Sequence, residues 1–212
     1  MSHLPSSPHL YEVPPSPGED PQAEAIDTLC RVAAEGAPEV AAHMERTGRL
    51  AAAVVKELDL CAPLGRLVVA TARLHDIGKL GVPPWIMEKT GPLTSFELSV
   101  MREHTLIGQE LLERRRELLS IGPLVRSTHE WWDGSGYPDG LRGAAIPLPA
   151  RIVAICDAFD AMTKPRSYSP SMSIPAALAE LVRGAGAQFD PGAVEVFCSL
   201  FESRFDRWAK GA

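Results

Sequence analysis

From about Gln22 onward, apolar residues recur at the spacing of helices. Val40, Met44, Thr47, Ala51, Val54 and Leu58 step by three and four, while Arg46, Arg49, Lys56 and Glu57 fall on other faces. Pro38 suits the first turn of that helix. Leu64, Leu67, Val68, Thr71 and Leu74 continue the period in a second helix, which the pattern ends near Gly78. Thr94 is a good N-cap for a third, reaching to about Leu119, and a fourth is predicted from Leu124 to Trp132. Residues 133–149 are rich in Gly and Pro and predict an irregular loop. Helical spacing resumes over Ala150 to Thr163, Ile174 to Arg183 and Pro191 to Trp208. No alternating strand of convincing length and no internal repeat is present. The predicted architecture is an all-α bundle of about seven helices.

The first 21 residues break this pattern. They hold six prolines, several serines, three acids and no Lys or Arg, too little apolar surface to offset the entropy of ordering. A disordered or polyproline-like tail over 1–21 and one folded body over 22–212 are therefore expected. The chain of 212 residues, 45% hydrophobic, is long enough for one core. Its net charge of -6 argues against a nucleic-acid polymer held on a basic surface and against a polybasic membrane patch. No apolar run approaches the length of a bilayer span. The four cysteines, Cys30, Cys61, Cys156 and Cys198, have no paired spacing and read as small buried hydrophobes in a reducing compartment, so a soluble, cytoplasmic protein is expected.

Candidate chemistry comes from polar residues placed inside apolar stripes. His75 and Asp76 end the run LVVATARL, and an acid there is costly to bury without a cation. His104 lies in the stripe of Val100, Met101, Ile107 and Leu111. His129 shares a face with Val125 and Trp132. Asp157 interrupts the run Ile152 to Cys156, and Asp160 follows one turn later. Glu39 and His43, four apart, project from one helical face. Taken singly, a core histidine or a capping acid is more often structural than a ligand. Taken together, histidines and carboxylates mark the inner faces of five helices, and one shared partner, a cluster of divalent metal, satisfies them all. Mixed imidazole and carboxylate donors suit Fe, Mn, Ni, Co or Zn, not a Cys-rich structural zinc site.

The ordered set His75-Asp76-Ile77-Gly78-Lys79, His104-Thr105 with Gly108, HEWWDGSGYPDGLRG (129–143) and ARIVAICDAFDAMT (150–163) resembles the HD-GYP family of cyclic-di-GMP phosphodiesterases, a branch of the HD metal-dependent phosphohydrolases. The likeness runs from about Glu39 to Pro191. It implies that His75, Asp76, His104, His129 and Asp157 are metal ligands, with Asp76 bridging two metals, Fe or Mn foremost. Glu39 and His43 match the acid and histidine that complete a third metal site in some members. Lys79 matches a phosphate-contacting lysine and Arg166 a substrate-binding arginine. Gly136 and Tyr137 belong to the signature loop, which lines the site or meets signalling partners. Asp160 is assigned to the substrate side of the site. A cyclic dinucleotide substrate is implied, and a homodimer is compatible with the likeness.

Two positions depart from the family pattern. Thr128 stands where members carry the first of two adjacent histidines, which leaves the second metal held more weakly, completed by water, or absent. Ser169 stands where members often have Arg or Lys, removing a cationic contact. The implied reaction is hydrolysis to linear pGpG or GMP by a hydroxide bridging the metals at Asp76, with Lys79 stabilising charge on the phosphate. Trp131, Trp132 and Tyr137 offer faces for guanine, and Arg142 and Arg151 could steer an anion. Two alternatives stand beside it: hydrolysis of a different nucleotide, and a binding or scaffold protein without turnover. Glu12, Glu19 and Asp20 carry three of the negative charges, leaving -3 on the body, which two divalent cations would bring to about +1, concentrated at the site.

Overall fold

A computed structural model describes residues 20–164 and 171–209, the side chains of 202–209 excepted. Ten α-helical segments occur among them: α1 (Pro21–Gly36), α2 (Pro38–Glu57), α3 (Ala62–Leu74), α4 (Pro84–Met87), α5 (Ser95–Arg102), α6 (His104–Glu113), α7 (Gly122–Arg126), α8 (Leu148–Thr163), α9 (Ile174–Gly184) and α10 (Pro191–Ala209). No strand forms among the described residues beyond a single bridge between Ala185 and Phe189. The all-α expectation therefore holds, with more and shorter segments than the seven predicted. None of these helices is long and apolar enough to cross a membrane.

The body begins slightly earlier than the hydropathy pattern suggested. The Asp20 carboxylate accepts hydrogen bonds from the backbone N–H groups of Gln22 and Ala23, and Pro21 opens α1. The rest of the predicted tail, 1–19, lies outside the described residues.

The long third helix is divided at Glu103. There the His104 Nδ1–H donates to the Met101 carbonyl (2.7 Å) and the Thr105 hydroxyl to that of Arg102 (3.2 Å). Side chains thus occupy carbonyls that backbone N–H groups take in a continuous helix. The fourth helix is shortened in the same way. Ser127 and Thr128 hydroxyls bond back to Pro123 and Val125 carbonyls, and α7 gives way to a 3₁₀ turn at Ser127–His129.

Thr94 is the N-cap its sequence suggested. Its hydroxyl accepts from the Glu97 N–H while the Glu97 carboxylate accepts from the Thr94 N–H, a reciprocal box that also receives Lys89 (2.5 Å). We expect Thr94→Ala to lower the unfolding free energy by about 1 kcal/mol, as a denaturant titration would measure.

Two apolar clusters support the bundle. One joins α2, α3, α8, α9 and α10 through Val54, Val68, Ile152, Phe159, Leu181 and Phe197. The other joins α1, α2, α3, the 3₁₀ turn Ile77–Gly81, α6 and α7 through Ile26, Leu29, Met44, Leu74, Ile77 and Leu112. Helices α2 and α3 contribute to both, so the polar residues they carry are held between two cores. Met44 follows His43, Leu74 precedes His75, Ile77 follows Asp76 and Cys156 precedes Asp157, and each of these neighbours is fully buried. Burial of one side chain on each element anchors the polar one beside it. The cysteines are all free thiols, but only Cys156 is fully buried; Cys30 and Cys198 are half-buried and Cys61 is exposed, on the loop leading into α3.

Candidate metal centre

Two groups of donor atoms meet where α2, α3, α6, the Ser127–His129 turn and α8 converge. His43, His75 and Asp157 form one, and Asp76, His104 and His129 the other. Asp76 joins them. Its Oδ1 lies 3.5 Å from His104 Nε2, and its Oδ2 lies 3.6 Å from His75 Nε2 and 3.8 Å from His43 Nε2. Five elements that are remote in sequence therefore bring six of the predicted ligands into one place.

Hydrogen bonds aim the imidazoles. His75 Nδ1–H donates to the Ala72 carbonyl at 2.8 Å, as His104 Nδ1–H does to Met101. A carbonyl can only accept, so in both rings Nε2 presents its lone pair to the cluster. His43 is held by a carboxylate instead: its Nδ1–H donates to Asp160 at 2.7 Å, and its Nε2 faces Asp157 at 2.9 Å. His129 stacks on Tyr137 with ring centroids 5.2 Å apart and planes 6° from parallel.

The fit of this site to cations can be judged from its unsatisfied atoms. His75 Nε2, Asp76 Oδ1, His104 Nε2 and His129 Nε2 are all buried without a hydrogen-bond partner. Orphaned buried polar atoms are costly, and here all four face the same small region. Divalent cations among them would satisfy every one. The donor set of imidazole nitrogen and carboxylate oxygen suits first-row transition metals.

Electrostatics agree with the geometry. Burial opposes ionisation of Asp76, but Lys79, whose ammonium lies 2.5 Å from Oδ2, and the surrounding imidazoles outweigh it and hold the carboxyl well below the usual range. Asp157 is likewise lowered against burial by His43, His75 and His129. Burial, aided by the Lys79 charge, outweighs the nearby carboxylates, pushing His129 down to about 3 and also lowering His104, so both imidazoles are held neutral. At His43 burial works against the imidazolium, yet hydrogen bonds to Asp157 and Asp160 prevail and raise its pKa to about 9.

Glycines permit the close approach. A Cβ on Gly78 would stand 1.9 Å from the His104 carbonyl oxygen and 2.5 Å from the Gly108 nitrogen, so its absence lets α6 lie against the Asp76 turn. A Cβ on Gly136 would stand 2.2 Å from the Trp131 nitrogen. That fold of the loop brings Tyr137 over His129, with the Tyr137 N–H donating to the His129 carbonyl (3.1 Å). The loop is held from within by Glu130, which accepts from Asp139 and Leu141 N–H groups, and by Arg126, whose guanidinium grips Asp139 through two 2.6 Å bonds.

Three predicted site residues are placed differently. Glu39 is exposed on the first turn of α2 and belongs to neither donor group; one turn before His43, it sits at the solvent end of the helix. Asp160 faces inward and is occupied by His43 and Arg46, so its carboxylate backs the His43 imidazole and is not free for the substrate side. Arg151 is taken by Asp190 (2.6 Å) and lies over Trp132. Arg166 and Ser169 lie outside the described residues. Sequence reasoning missed Arg46, Glu130 and Arg102. Arg102 lies over the outer face of the Tyr137 ring, 5.0 Å from its centroid, with no carboxylate in salt-bridge reach among the described residues. The signal for Arg46 was available only as a cation three residues after His43.

Fold and site together define an all-α protein with a buried, paired His/Asp donor cluster. The comparisons agree with that class. The HD domain family model matches residues 27–193. The chain is 40% identical over 179 residues to the cyclic di-GMP phosphodiesterase response regulator RpfG of Xanthomonas campestris, covering 84% of this chain and 47% of the relative. It is 36% identical to a cyclic di-GMP phosphodiesterase of Thermotoga maritima (86% and 50%) and 35% identical to the 3'3'-cGAMP-specific phosphodiesterase 2 of Vibrio cholerae (82% and 32%). Among solved structures, V-cGAP3, a cyclic GMP-AMP specific phosphodiesterase of V. cholerae, aligns with a TM-score of 0.64 at 20% identity, covering 85% of this chain and 49% of that one. The HD domain of the Listeria monocytogenes phosphodiesterase PgpH in complex with cyclic-di-AMP aligns at 0.60 and 18% identity (84% and 95%). These structural likenesses show the fold. The chain belongs to the HD-domain family, and its motifs are those of the HD-GYP branch. It spans half or less of the length of these curated relatives.

Proposed function

We propose that this chain hydrolyses a phosphodiester bond of cyclic-di-GMP, giving linear pGpG, and GMP on further cleavage. The observation that carries the reading is the pair of donor groups joined through Asp76, with four orphaned atoms facing one region and the Lys79 ammonium beside it. The names of the curated relatives support the substrate class.

Two divalent cations, Fe or Mn foremost and Ni, Co or Zn by the same donor chemistry, would be held by His43, His75 and Asp157 and by Asp76, His104 and His129. When bound, such cations polarise a phosphoryl group and acidify water. The protein's own residues do the rest. Lys79 is partly exposed, so its Nζ can turn from Asp76 Oδ2 to a non-bridging phosphate oxygen as charge builds there. Burial raises the Tyr137 hydroxyl, which stays protonated as a neutral donor beside His129. Arg102, over the Tyr137 ring, supplies a cation for a second phosphate. The exposed face of Trp131, next to the loop, suits guanine stacking or a partner protein. Four free thiols fit a reducing, cytoplasmic setting.

Lys79→Met should slow turnover by on the order of 100-fold or more while both metals remain bound, read as kcat beside metal content. The test of the reading is anaerobic reconstitution with Fe(II) or Mn(II), followed by chromatography of products from cyclic-di-GMP, 3'3'-cGAMP and cyclic-di-AMP. Linear product from cyclic-di-GMP supports it. Cleavage of 3'3'-cGAMP alone would favour the second reading, which the cGAMP-specific relatives and the Thr128 departure support. Retention of nucleotide without product would mark a binding protein.

A further inference from the structure

His43 is the one cluster histidine whose hydrogen-bond partner, among the described residues, is a carboxylate outside both donor groups. His75 and His104 rest on backbone carbonyls, which main-chain geometry holds in place without help. Asp160 has no such constraint, since its side chain could rotate away from His43. Arg46 removes that freedom. Its Nε lies 2.8 Å from Asp160 Oδ1 and 3.1 Å from Oδ2, and its Nη2 lies 2.8 Å from Oδ2. The fork engages both oxygens, and the carboxylate it holds is only 3% exposed. Oδ2 then accepts the His43 Nδ1–H at 2.7 Å.

We infer that Arg46 and Asp160 are positioning residues that act through His43 on one half of the metal centre only. A carboxylate behind an imidazole fixes its tautomer, so that Nε2 carries the lone pair, and raises its strength as a ligand. Among the described residues the other donor group has no equivalent: His104 is backed by a carbonyl, and Thr128, beside His129, spends its hydroxyl on the Val125 carbonyl. The two halves are therefore supported unequally. Loss of Arg46 frees Asp160 to rotate or to draw in water, and weakens metal held by His43, His75 and Asp157. The Asp76, His104 and His129 half keeps all its supports.

This inference rests on the reading that the cluster binds divalent cations, and a double-mutant cycle separates the two. Mn(II) affinity would be measured by calorimetry on metal-free protein for wild type, Arg46→Ala, His43→Ala and the double variant, with thermal midpoints of the metal-free forms recorded in parallel. Arg46→Ala should weaken one class of Mn(II) site by roughly 10-fold, and Asp160→Asn by roughly 10- to 100-fold. In the His43→Ala background Arg46→Ala should have no further effect, because nothing remains for Asp160 to orient. Arg46→Lys, which keeps the charge and loses the fork, should restore part of the affinity. Arg49→Ala, an exposed cation on the same helix, serves as the unaffected control. An unchanged affinity in Arg46→Ala, or an equal loss in both backgrounds, overturns the inference while leaving the metal reading intact. Absence of Mn(II) binding to wild type overturns both.

Discussion

Asp76→Ala is expected to empty both halves of the centre and to abolish hydrolysis of cyclic-di-GMP. No other described residue presents separate atoms to both groups: Oδ1 faces His104, and Oδ2 faces His75, His43 and Lys79. Its removal takes one oxygen donor from each half and the single negative charge they share, in a buried region where a cation has little water to replace it. By contrast His129→Ala removes a donor from one half only. Metal content after desalting distinguishes them: Asp76→Ala should retain neither metal, and His129→Ala should retain the metal at His43, His75 and Asp157. Asp76→Asn, which preserves volume, should also lose hydrolysis, since a neutral amide keeps one weak oxygen donor and cannot serve both groups. Full turnover in either Asp76 variant would sink the proposed function.

The second large effect is expected at a residue with no side chain to offer a metal. Gly78→Ala places a methyl group 1.9 Å from one backbone atom and 2.5 Å from another, and neither can rotate aside. Helix α6 must retreat from the Ile77–Gly81 turn, which would cost about 3 kcal/mol or more. Because His104 stands at the first position of α6, the half containing Asp76, His104 and His129 should open before the half on α2, α3 and α8. Denaturant unfolding of metal-free protein measures the first consequence, and metal content the second. Gly91→Ala, whose Cβ would meet nothing within 4 Å, should be neutral. Equal stability of the two variants would contradict the close packing of α6 on the Ile77–Gly81 turn.

Much of this was legible along the chain. Helical spacing, the Thr94 cap and the Gly/Pro-rich loop are local properties, written in neighbouring residues. The donor residues were legible because a carboxylate or imidazole in an apolar stripe demands a partner wherever the helix packs. Helix breaks were less so: the spacing across Glu103 is continuous, and the division appears only when His104 and Thr105 turn their side chains onto the Met101 and Arg102 carbonyls. Gly78 read as a helix stop; its greater role, admitting α6, depends on a backbone that arrives from 26 residues further along.

By itself, then, the sequence determined which polar side chains sit in apolar stripes and in what order they occur, because burial of apolar neighbours commits most of them to the core. Only the tertiary structure decided how they are shared out. Asp157 and Asp160 lie one turn apart on α8 and looked alike as acids near an apolar run, yet one joins the donor group of His43 and His75 while the other stands behind His43, clamped by Arg46. Glu39 and His43 looked like a pair, yet one is exposed and the other buried. Distances between helices arise from how two apolar clusters pack, and no local spacing encodes them.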